Sequence, residues 1–370
     1  MARLKRPDHG GNVYAASRNL GCDLTQIIDF SASINPLGPS PHVWGAITDA
    51  RHLLGHYPDP ECWDLRQALA RCWQVDPRQI VVGNGSTELI DVIPRALNIH
   101  HLVIVQPTFS EYAASMIRAG RRVKSLYSRR KNQYALPIDR LCRLMEMRQD
   151  GHCAFDGVVL CNPNSPTGQA CGADDVARLA RAARRRGIWL VIDEAFADYC
   201  PERSVLLQAA SWPHVVVLRS MTKFYGLPGL RVGYAVASPS AVKSIERQLP
   251  PWSVNVMGQV AALAALNDTV YTQKSVHYMT KERERLASLL TALPGCVVMP
   301  TYANYVFMEL PRGWHAREMT ERLKGEGLLI RDCSTVPGAN SRSIRLAVRS
   351  QRENDRLVQV FSRLLRRKVS

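Results

Sequence analysis

One lysine in this sequence stands in a setting that suits covalent chemistry. Lys223 lies in Ser220-Met221-Thr222-Lys223, directly after the apolar run Val215-Val216-Val217-Leu218, and Arg231 follows eight residues later. An amine at the end of a buried strand could hold an aldehyde cofactor as a Schiff base while neighbouring hydroxyl and guanidinium groups grip the cofactor's phosphate. The segment alone leaves a second interpretation open, because most lysines are solvated surface charges.

Short apolar runs that end in polar, Gly-rich or Pro-rich residues predict the sheet that would position this lysine. The runs are Ile80-Val81-Val82, Leu102 to Val105, Val158-Val159-Leu160, Trp189-Leu190-Val191-Ile192 and Val215 to Leu218. Helical patterns alternate with them, which predicts an α/β fold with a mainly parallel sheet. Such sheets bind ligands at the carboxyl ends of their strands, where the polar residues lie.

The same pattern predicts two domains. We expect a large domain at 50–255 and a smaller domain formed by the N-terminal segment 1–49 together with 256–370. The smaller domain would contain strands at Tyr305 to Glu309 and Ile344 to Val348.

Composition narrows the class of function. No apolar stretch approaches the roughly 18–20 residues that a membrane span needs, so we expect no membrane partner. The net charge of +16 invites nucleic-acid binding, but the arginines are dispersed and no nucleic-acid-binding motif is present. We therefore expect an anionic small substrate and no nucleic acid. The ten cysteines never form Cys-x-x-Cys, which predicts no metal site and reduced thiols in a cytoplasmic protein.

Four motifs, in this order and spacing, resemble the fold-type I pyridoxal-phosphate enzymes of the aminotransferase superfamily. They are Asn162-Pro163-Asn164-Ser165-Pro166-Thr167-Gly168, Asp193-Glu194-Ala195-Phe196, Ser220-Met221-Thr222-Lys223 and Gly229-Leu230-Arg231-Val232-Gly233-Tyr234. The resemblance covers essentially the whole chain. It implies pyridoxal 5'-phosphate as cofactor, and a fold with a large domain whose mainly parallel central sheet has helices on both faces, plus a smaller α+β domain.

The resemblance assigns cofactor roles to particular residues. Lys223 would bind the aldehyde and later move a proton, and Asp193 would pair with the pyridine nitrogen and keep it protonated. From the sequence alone Asp193 could instead be a helix N-cap or a surface acid, an alternative that the buried run before it disfavours. The phosphate would lie at a helix N-terminus, where free N–H groups and the helix dipole favour a dianion. Its ligands would be Gly85, Ser86, Thr87, Ser220, Thr222 and Arg231.

Two aromatic positions complete the expected cofactor site. By resemblance, Tyr57 reaches the phosphate from the neighbouring subunit, which implies a homodimer with shared active sites. By sequence alone it could be a loop aromatic packed in an interface. Phe109 matches the aromatic residue that stacks on the cofactor ring, with Tyr112 one turn on, and either residue could instead belong to the core.

The sequence departs from the family pattern at two positions. Ser165 stands where the family usually has an asparagine that bonds the cofactor's 3-hydroxyl, so Ser165, Asn164 or a water molecule could make that bond. Phe196 stands where aminotransferases commonly have a tyrosine that donates to the same oxygen. Without that tyrosine hydroxyl, the ionised 3-oxygen of the cofactor is less stabilised.

Three further stretches are similar to the L-threonine-O-3-phosphate decarboxylases of cobalamin biosynthesis. They are His9-Gly10-Gly11-Asn12, the segment from Asp29 to Gly38, and Pro251-Trp252-Ser253-Val254-Asn255. The resemblance implies that Arg345 binds the substrate carboxylate and Arg331 the substrate phosphate, with further contacts from His9, Ser33 and Asn35. Ser33 replaces an asparagine that is common in these decarboxylases.

These expectations lead to a decarboxylase of phosphorylated threonine. Histidinol-phosphate aminotransferases share much of the same frame and form the alternative. Phe196 and the start His9-Gly10-Gly11-Asn12 favour the decarboxylase. A third interpretation is a cofactor-binding regulator or an inactive paralogue; it is disfavoured because Lys223, Asp193 and Arg231 occur together.

Overall fold

The structure is a computed structural model that describes residues 9–147 and 154–366 of the 370. The α-helices are α1 (Val13–Leu20), α2 (Pro41–Asp49), α3 (Trp63–Trp73), α4 (Ser86–Ala96), α5 (Glu111–Arg118), α6 (Ile138–Glu146), α7 (Ala173–Arg186), α8 (Leu206–Ala209), α9 (Pro239–Glu246), α10 (Val256–Asn267), α11 (Thr269–Thr291), α12 (Ala316–Gly325) and α13 (Gln351–Arg366). The strands are β1 (Ile28–Asp29), β2 (Ile80–Gly83), β3 (His101–Gln106), β4 (Arg122–Tyr127), β5 (Gly157–Cys161), β6 (Trp189–Asp193), β7 (Val215–Ser220), β8 (Gly233–Ala237), β9 (Val297–Val298), β10 (Tyr305–Glu309), β11 (Leu328–Leu329), β12 (Arg331–Asp332) and β13 (Ser343–Ala347).

A seven-stranded sheet organises the first two thirds of the chain. Its strand order is β2-β8-β7-β6-β5-β3-β4. Strand β8 is antiparallel to both of its neighbours, and the pairs from β7 to β4 are all parallel. The prediction of a mainly parallel sheet is therefore confirmed. Strands β4 and β8 were not predicted, because β4 is a largely exposed edge strand with Arg122 and Lys124, and β8 consists mostly of small residues.

Both faces of this sheet are covered. Alternate residues of a strand point to opposite faces, and accordingly Val158 and Leu160 of β5 pack into one core while Val159 and Cys161 pack into another. Helices α4, α5 and α9 supply the second core, and α3, α6 and α7 contribute to the first. Burial on both faces explains why these strands are continuous Val, Ile and Leu runs.

The C-terminal third carries a smaller sheet. Its strand order is β12-β13-β10-β9, with antiparallel pairs. The N-terminal segment is tied to this region, because β1 pairs in parallel with β11. The proposed domain ranges, 50–255 for the large domain and 1–49 with 256–370 for the small one, would assign the seven-stranded sheet to the first and the smaller sheets to the second.

No helix in the described residues is both long enough and apolar enough to cross a membrane. Within the same residues, no group of three or more His, Cys, Asp or Glu side chains is arranged to hold a metal ion.

Candidate functional site

The register of three neighbouring strands builds an anion cradle at one edge of the large sheet. Gly233 at the start of β8 lies opposite Gly83 of β2 on one side and Ser220 of β7 on the other. The antiparallel return of β8 therefore brings the segment around Arg231 next to the start of α4 and the end of β7. This register is the structural reason why residues far apart in sequence meet here.

Two glycines allow the backbone to approach closely at the cradle. A Cβ on Gly233 would lie 2.3 Å from the backbone nitrogen of Ser86, and a Cβ on Gly85 would lie 2.5 Å from Nη2 of Arg231. Gly85 also has a φ of 76° at the N-cap of α4, a conformation that favours glycine. The guanidinium is thereby held directly against the helix N-terminus.

The cradle contains a guanidinium group and several hydroxyls. Among the described residues no carboxylate forms an ion pair with Arg231, whose pKa is lowered by burial. The hydroxyls of Ser220 and Thr222 are buried and lie 2.8 Å apart, and Thr87 lies in the first turn of α4. Hydroxyls, a guanidinium and free helix N–H groups together suit a dianionic phosphate.

Lys223 follows β7 by three residues and is poised as a nucleophile. Its carbonyl accepts a hydrogen bond from the backbone nitrogen of Asn35 at 3.0 Å. Burial lowers the pKa of its amine to about 8, and the positive charges of Arg345 and Arg231 act in the same direction. A larger share of the amine is therefore neutral and reactive near pH 7 than for an ordinary lysine.

Asp193 is the last residue of β6 and is 3% exposed. Its Oδ1 accepts from the backbone nitrogen of Ala195 at 2.9 Å, and its Oδ2 accepts from the Tyr112 hydroxyl at 2.5 Å. Burial raises the pKa of the carboxyl, and these two donors oppose that rise. A buried carboxylate with this support suits a cationic N–H partner such as a protonated pyridine.

Phe109 is half-buried beside these groups. Its ring meets Tyr112 edge-on with centroids 5.7 Å apart, and the His9 ring lies 5.5 Å away. Of the two aromatics that the sequence left open, Tyr112 is the one buried in the core, since it is 1% exposed.

The structure gives Asn164 and Ser165 partners within the protein. The Asn164 amide donates to the Pro107 carbonyl and to Thr167 Oγ1, each at 2.8 Å, and its oxygen accepts from Thr108. Ser165 Oγ instead accepts from Arg345 at 3.0 Å.

Two arginines lie side by side on the smaller sheet. Arg331 of β12 is directly opposite Arg345 of β13. Arg345 also donates to the Ser31 carbonyl at 2.8 Å, and its Nε has no partner although it is buried. Burial lowers the pKa of Arg345, and Arg331 adds to that effect. No carboxylate of the described chain pairs with either guanidinium, which leaves both available to anions.

The three candidate substrate-binding residues of the N-terminal segment have different surroundings. His9 Nε2 lies 2.8 Å from Oε1 of Glu111, beside Phe109. Asn35 donates to the Phe224 carbonyl and to Ser275 Oγ, so its amide is engaged in holding the lysine segment. Ser33 is 1% exposed and its hydroxyl has no partner.

Tyr57 lies apart from the other candidates in the single chain. It is 80% exposed, and its ring stacks on Trp252 with centroids 4.8 Å apart. Its hydroxyl makes no hydrogen bond to any described residue. Trp252 is itself 48% exposed, so the two stacked rings form an exposed aromatic pair.

The structure adds residues that sequence reasoning missed. Tyr305 donates to the Asn164 carbonyl at 2.9 Å, and the Arg345 guanidinium lies over its ring at 4.9 Å. Glu111 and Ser31 hold His9 and Arg345 in the contacts given above. Tyr305 and Glu111 belong to none of the motifs, and Ser31 lies in the stretch from Asp29 to Gly38 without a role assigned by it, so these roles depend on tertiary contacts.

The residues present fit pyridoxal 5'-phosphate. The cradle that a Cβ on Gly85 would fill suits the phosphate, Lys223 suits the aldehyde, and buried Asp193 suits the ring nitrogen. Phe109 offers an aromatic face beside them.

Comparison with known proteins agrees with this arrangement. Residues 25–361 match the family "Aminotransferase class I and II". The chain is 36% identical to the threonine-phosphate decarboxylase of Salmonella typhimurium, across 96% of each chain. It is 35% identical to the histidinol-phosphate aminotransferase of Roseiflexus castenholzii, over 93% of this chain and 91% of the relative.

The fold has a close solved counterpart. The histidinol-phosphate aminotransferase of Sinorhizobium meliloti, in complex with pyridoxal-5'-phosphate, superposes with a TM-score of 0.84 at 24% identity and covers 99% of this chain and 98% of its own. The fold is thus that of the fold-type I enzymes, and pyridoxal 5'-phosphate is the cofactor. The chain belongs to the aminotransferase class I and II family.

Proposed function

We propose that the protein decarboxylates L-threonine O-3-phosphate to (R)-1-amino-2-propanol O-2-phosphate, in cobalamin biosynthesis. The observation that carries this proposal is the pair of unneutralised guanidinium groups, Arg331 and Arg345, at facing positions of β12 and β13. A substrate with two anionic ends requires two such groups. The similarity to the S. typhimurium threonine-phosphate decarboxylase over almost the full length of both chains supports the same reaction.

Arg345 is the receptor for the substrate carboxylate. Its bonds to Ser31 and Ser165 fix the guanidinium before substrate arrives, and its positive charge contributes to lowering the pKa of the Lys223 amine. Arg331 then receives the phosphate, with His9 as a second donor held by Glu111. The planar guanidinium fork matches both carboxylate and phosphate.

These contacts select the bond that breaks. The bound cofactor supplies an electron sink for the pair of electrons left on Cα. By gripping the carboxylate, Arg345 would fix the orientation of the bond between Cα and the carboxyl carbon, and this would favour loss of carbon dioxide over loss of the Cα proton. In its protonated form, Lys223 would then supply the proton that Cα takes up.

We further propose a homodimer with shared active sites. Tyr57 extends from the surface beside Trp252 and would supply its hydroxyl to the phosphate cradle of the second copy.

Histidinol-phosphate aminotransferase is the second candidate, because the R. castenholzii relative is nearly as similar as the decarboxylase. Phe196 argues against it. Its ring packs edge-on against Tyr305 at 5.0 Å and has no hydroxyl to donate where aminotransferases of this superfamily commonly have tyrosine.

The direct test is to incubate the purified, cofactor-loaded protein with L-threonine O-3-phosphate and to measure carbon dioxide and the amine product, with and without an added 2-oxo acid. The proposal predicts stoichiometric carbon dioxide without the oxo acid. Consumption that requires the oxo acid and releases no carbon dioxide would show transamination instead.

A variant of Arg331 tests the proposed phosphate contact separately from the carboxylate contact of Arg345. Arg331→Gln should lower kcat/KM for L-threonine O-3-phosphate by about 30-fold, since a charged hydrogen bond is lost, and should leave any turnover of unphosphorylated L-threonine unchanged. Arg312→Gln, at an exposed position of the same region, is the matched control. Equal losses for both substrates would remove the phosphate role from Arg331.

A further inference from the structure

The hydrogen bond between Tyr112 and Asp193 is buried in the protein. Tyr112 comes from the first turn of α5, Asp193 from the end of β6, and the two are 1% and 3% exposed. The tyrosine ring also lines a small apolar cavity together with Ile90, Val159 and Val191. The phenol thus donates to the carboxylate in a largely apolar setting, with the Cys161 thiol as a further polar neighbour.

The direction of this hydrogen bond is fixed by its surroundings. Burial raises the pKa of the Tyr112 phenol well above its ordinary value, and the charge of Asp193 raises it further. The phenol therefore keeps its proton and donates it to Oδ2, while the backbone N–H of Ala195 donates to Oδ1. Two donors on one carboxylate spread its negative charge and make it a weaker base.

The basicity of this carboxylate matters because one proton is shared between it and the ring nitrogen of the cofactor. If the carboxylate is the weaker base, the proton stays on nitrogen and the ring is a cationic electron acceptor. If the carboxylate becomes the stronger base, the proton moves to oxygen and the ring nitrogen becomes neutral. Burial alone favours the second outcome, since it penalises the charged carboxylate.

We propose that Tyr112 is a positioning residue that acts through Asp193: its hydroxyl fixes the orientation of the carboxylate and keeps it ionised, so that the shared proton remains on the cofactor's ring nitrogen. Tyr112 does not touch the reacting atoms in this role. The inference depends on the cofactor and is independent of whether the reaction is decarboxylation or transamination.

The test measures the protonation state of the cofactor's ring nitrogen directly. Wild-type protein and Tyr112→Phe are loaded with pyridoxal phosphate labelled with nitrogen-15 in the ring, and the chemical shift of that nitrogen is recorded by NMR. The wild-type signal should have the shift of a protonated pyridine, and the Tyr112→Phe signal should move toward that of a neutral pyridine. Phenylalanine keeps the ring, so core packing and the edge contact with Phe109 are retained.

Activity provides a second readout. The kcat of Tyr112→Phe should fall about 10-fold, the size expected when a hydrogen bond to a charged group is lost, with little change in KM. Tyr134→Phe is the matched control, because Tyr134 is also a buried tyrosine but packs against Phe307, away from Asp193; its nitrogen shift should equal that of the wild type.

Two results would overturn the proposal. One is a neutral ring nitrogen in the wild-type protein, a measurement that needs no variant to fold. The other is a folded Tyr112→Phe protein whose nitrogen shift matches the wild type. Neither result bears on carbon dioxide release, so failure here is distinguishable from failure of the proposed function.

Discussion

Arg345 donates a hydrogen bond to Ser165 at 3.0 Å, and this contact joins the smaller sheet to the loop that follows β5 of the large one. The serine that departs from the family pattern therefore supports Arg345, the arginine proposed to bind the substrate carboxylate. Asn164 does not accept from Arg345 in the same way, because its side-chain oxygen already accepts from the Thr108 hydroxyl.

We expect Ser165→Ala to lower kcat/KM for L-threonine O-3-phosphate by about 10-fold, chiefly through KM, since the guanidinium loses one of its two anchors. The absorption spectrum of the bound cofactor should stay unchanged, as measured at matched cofactor saturation. Thr301→Ala, on a neighbouring loop, serves as control. A spectral change without a KM effect would mean that Ser165 bonds the cofactor's 3-hydroxyl instead.

Much of the large sheet could be predicted because its buried strands are continuous apolar runs, and polar residues at their ends mark the ligand edge. Strand β8 escaped prediction because Gly233, Ala235 and Ala237 give it no bulky pattern. Yet its antiparallel register is what brings Arg231 to the cradle.

The contacts of Tyr112 and Glu111 could not be predicted either. Sequence periodicity indicates that a residue is buried, but not which side chain it meets on another element. The Tyr112 hydroxyl meets a residue 81 positions away, and Glu111 meets His9 across 102 positions.

The lowered pKa of Lys223 predicts how cofactor uptake depends on pH. Only the neutral amine attacks the aldehyde, so the rate at which cofactor-free protein binds pyridoxal phosphate covalently should rise with pH and level off above about 8. Stopped-flow absorbance at constant ionic strength measures this rate. An increase that continues toward 10.5, the value of an ordinary lysine, would contradict the assignment.

Arg345→Gln provides a sharper form of the same measurement. The positive charge of Arg345 disfavours protonation of the Lys223 amine. Removing it should raise the pKa of Lys223 and shift the pH dependence of the cofactor-binding rate to higher pH. Arg312→Gln, which is exposed, should leave the profile in place.

The proposed role of Tyr57 in a shared active site predicts that hybrid dimers recover activity. If each site combines Lys223 of one subunit with Tyr57 of the other, a dimer of one Lys223→Ala chain and one Tyr57→Ala chain contains one intact site. Co-expression of two weakly active variants should then restore about a quarter of wild-type activity, because half of the dimers are hybrids with one working site in two. Activity no higher than that of the Tyr57→Ala protein alone would show that the sites are not shared.

We expect Arg219 to stabilise the folded protein strongly without taking part in the reaction. Its guanidinium is 2% exposed, lies 3.6 Å from Glu194 and 3.4 Å from Asp198, and stacks over the Trp73 ring at 4.8 Å. Burial raises the pKa of both carboxyls, and Arg219 opposes that rise. Arg219→Met should therefore reduce the free energy of unfolding by about 3–5 kcal/mol, because two buried acids lose their counter-ion. Denaturant titration of the cofactor-free protein measures this change, with exposed Arg181→Met as control; a loss below about 1 kcal/mol would mean that the acids are protonated and need no counter-ion.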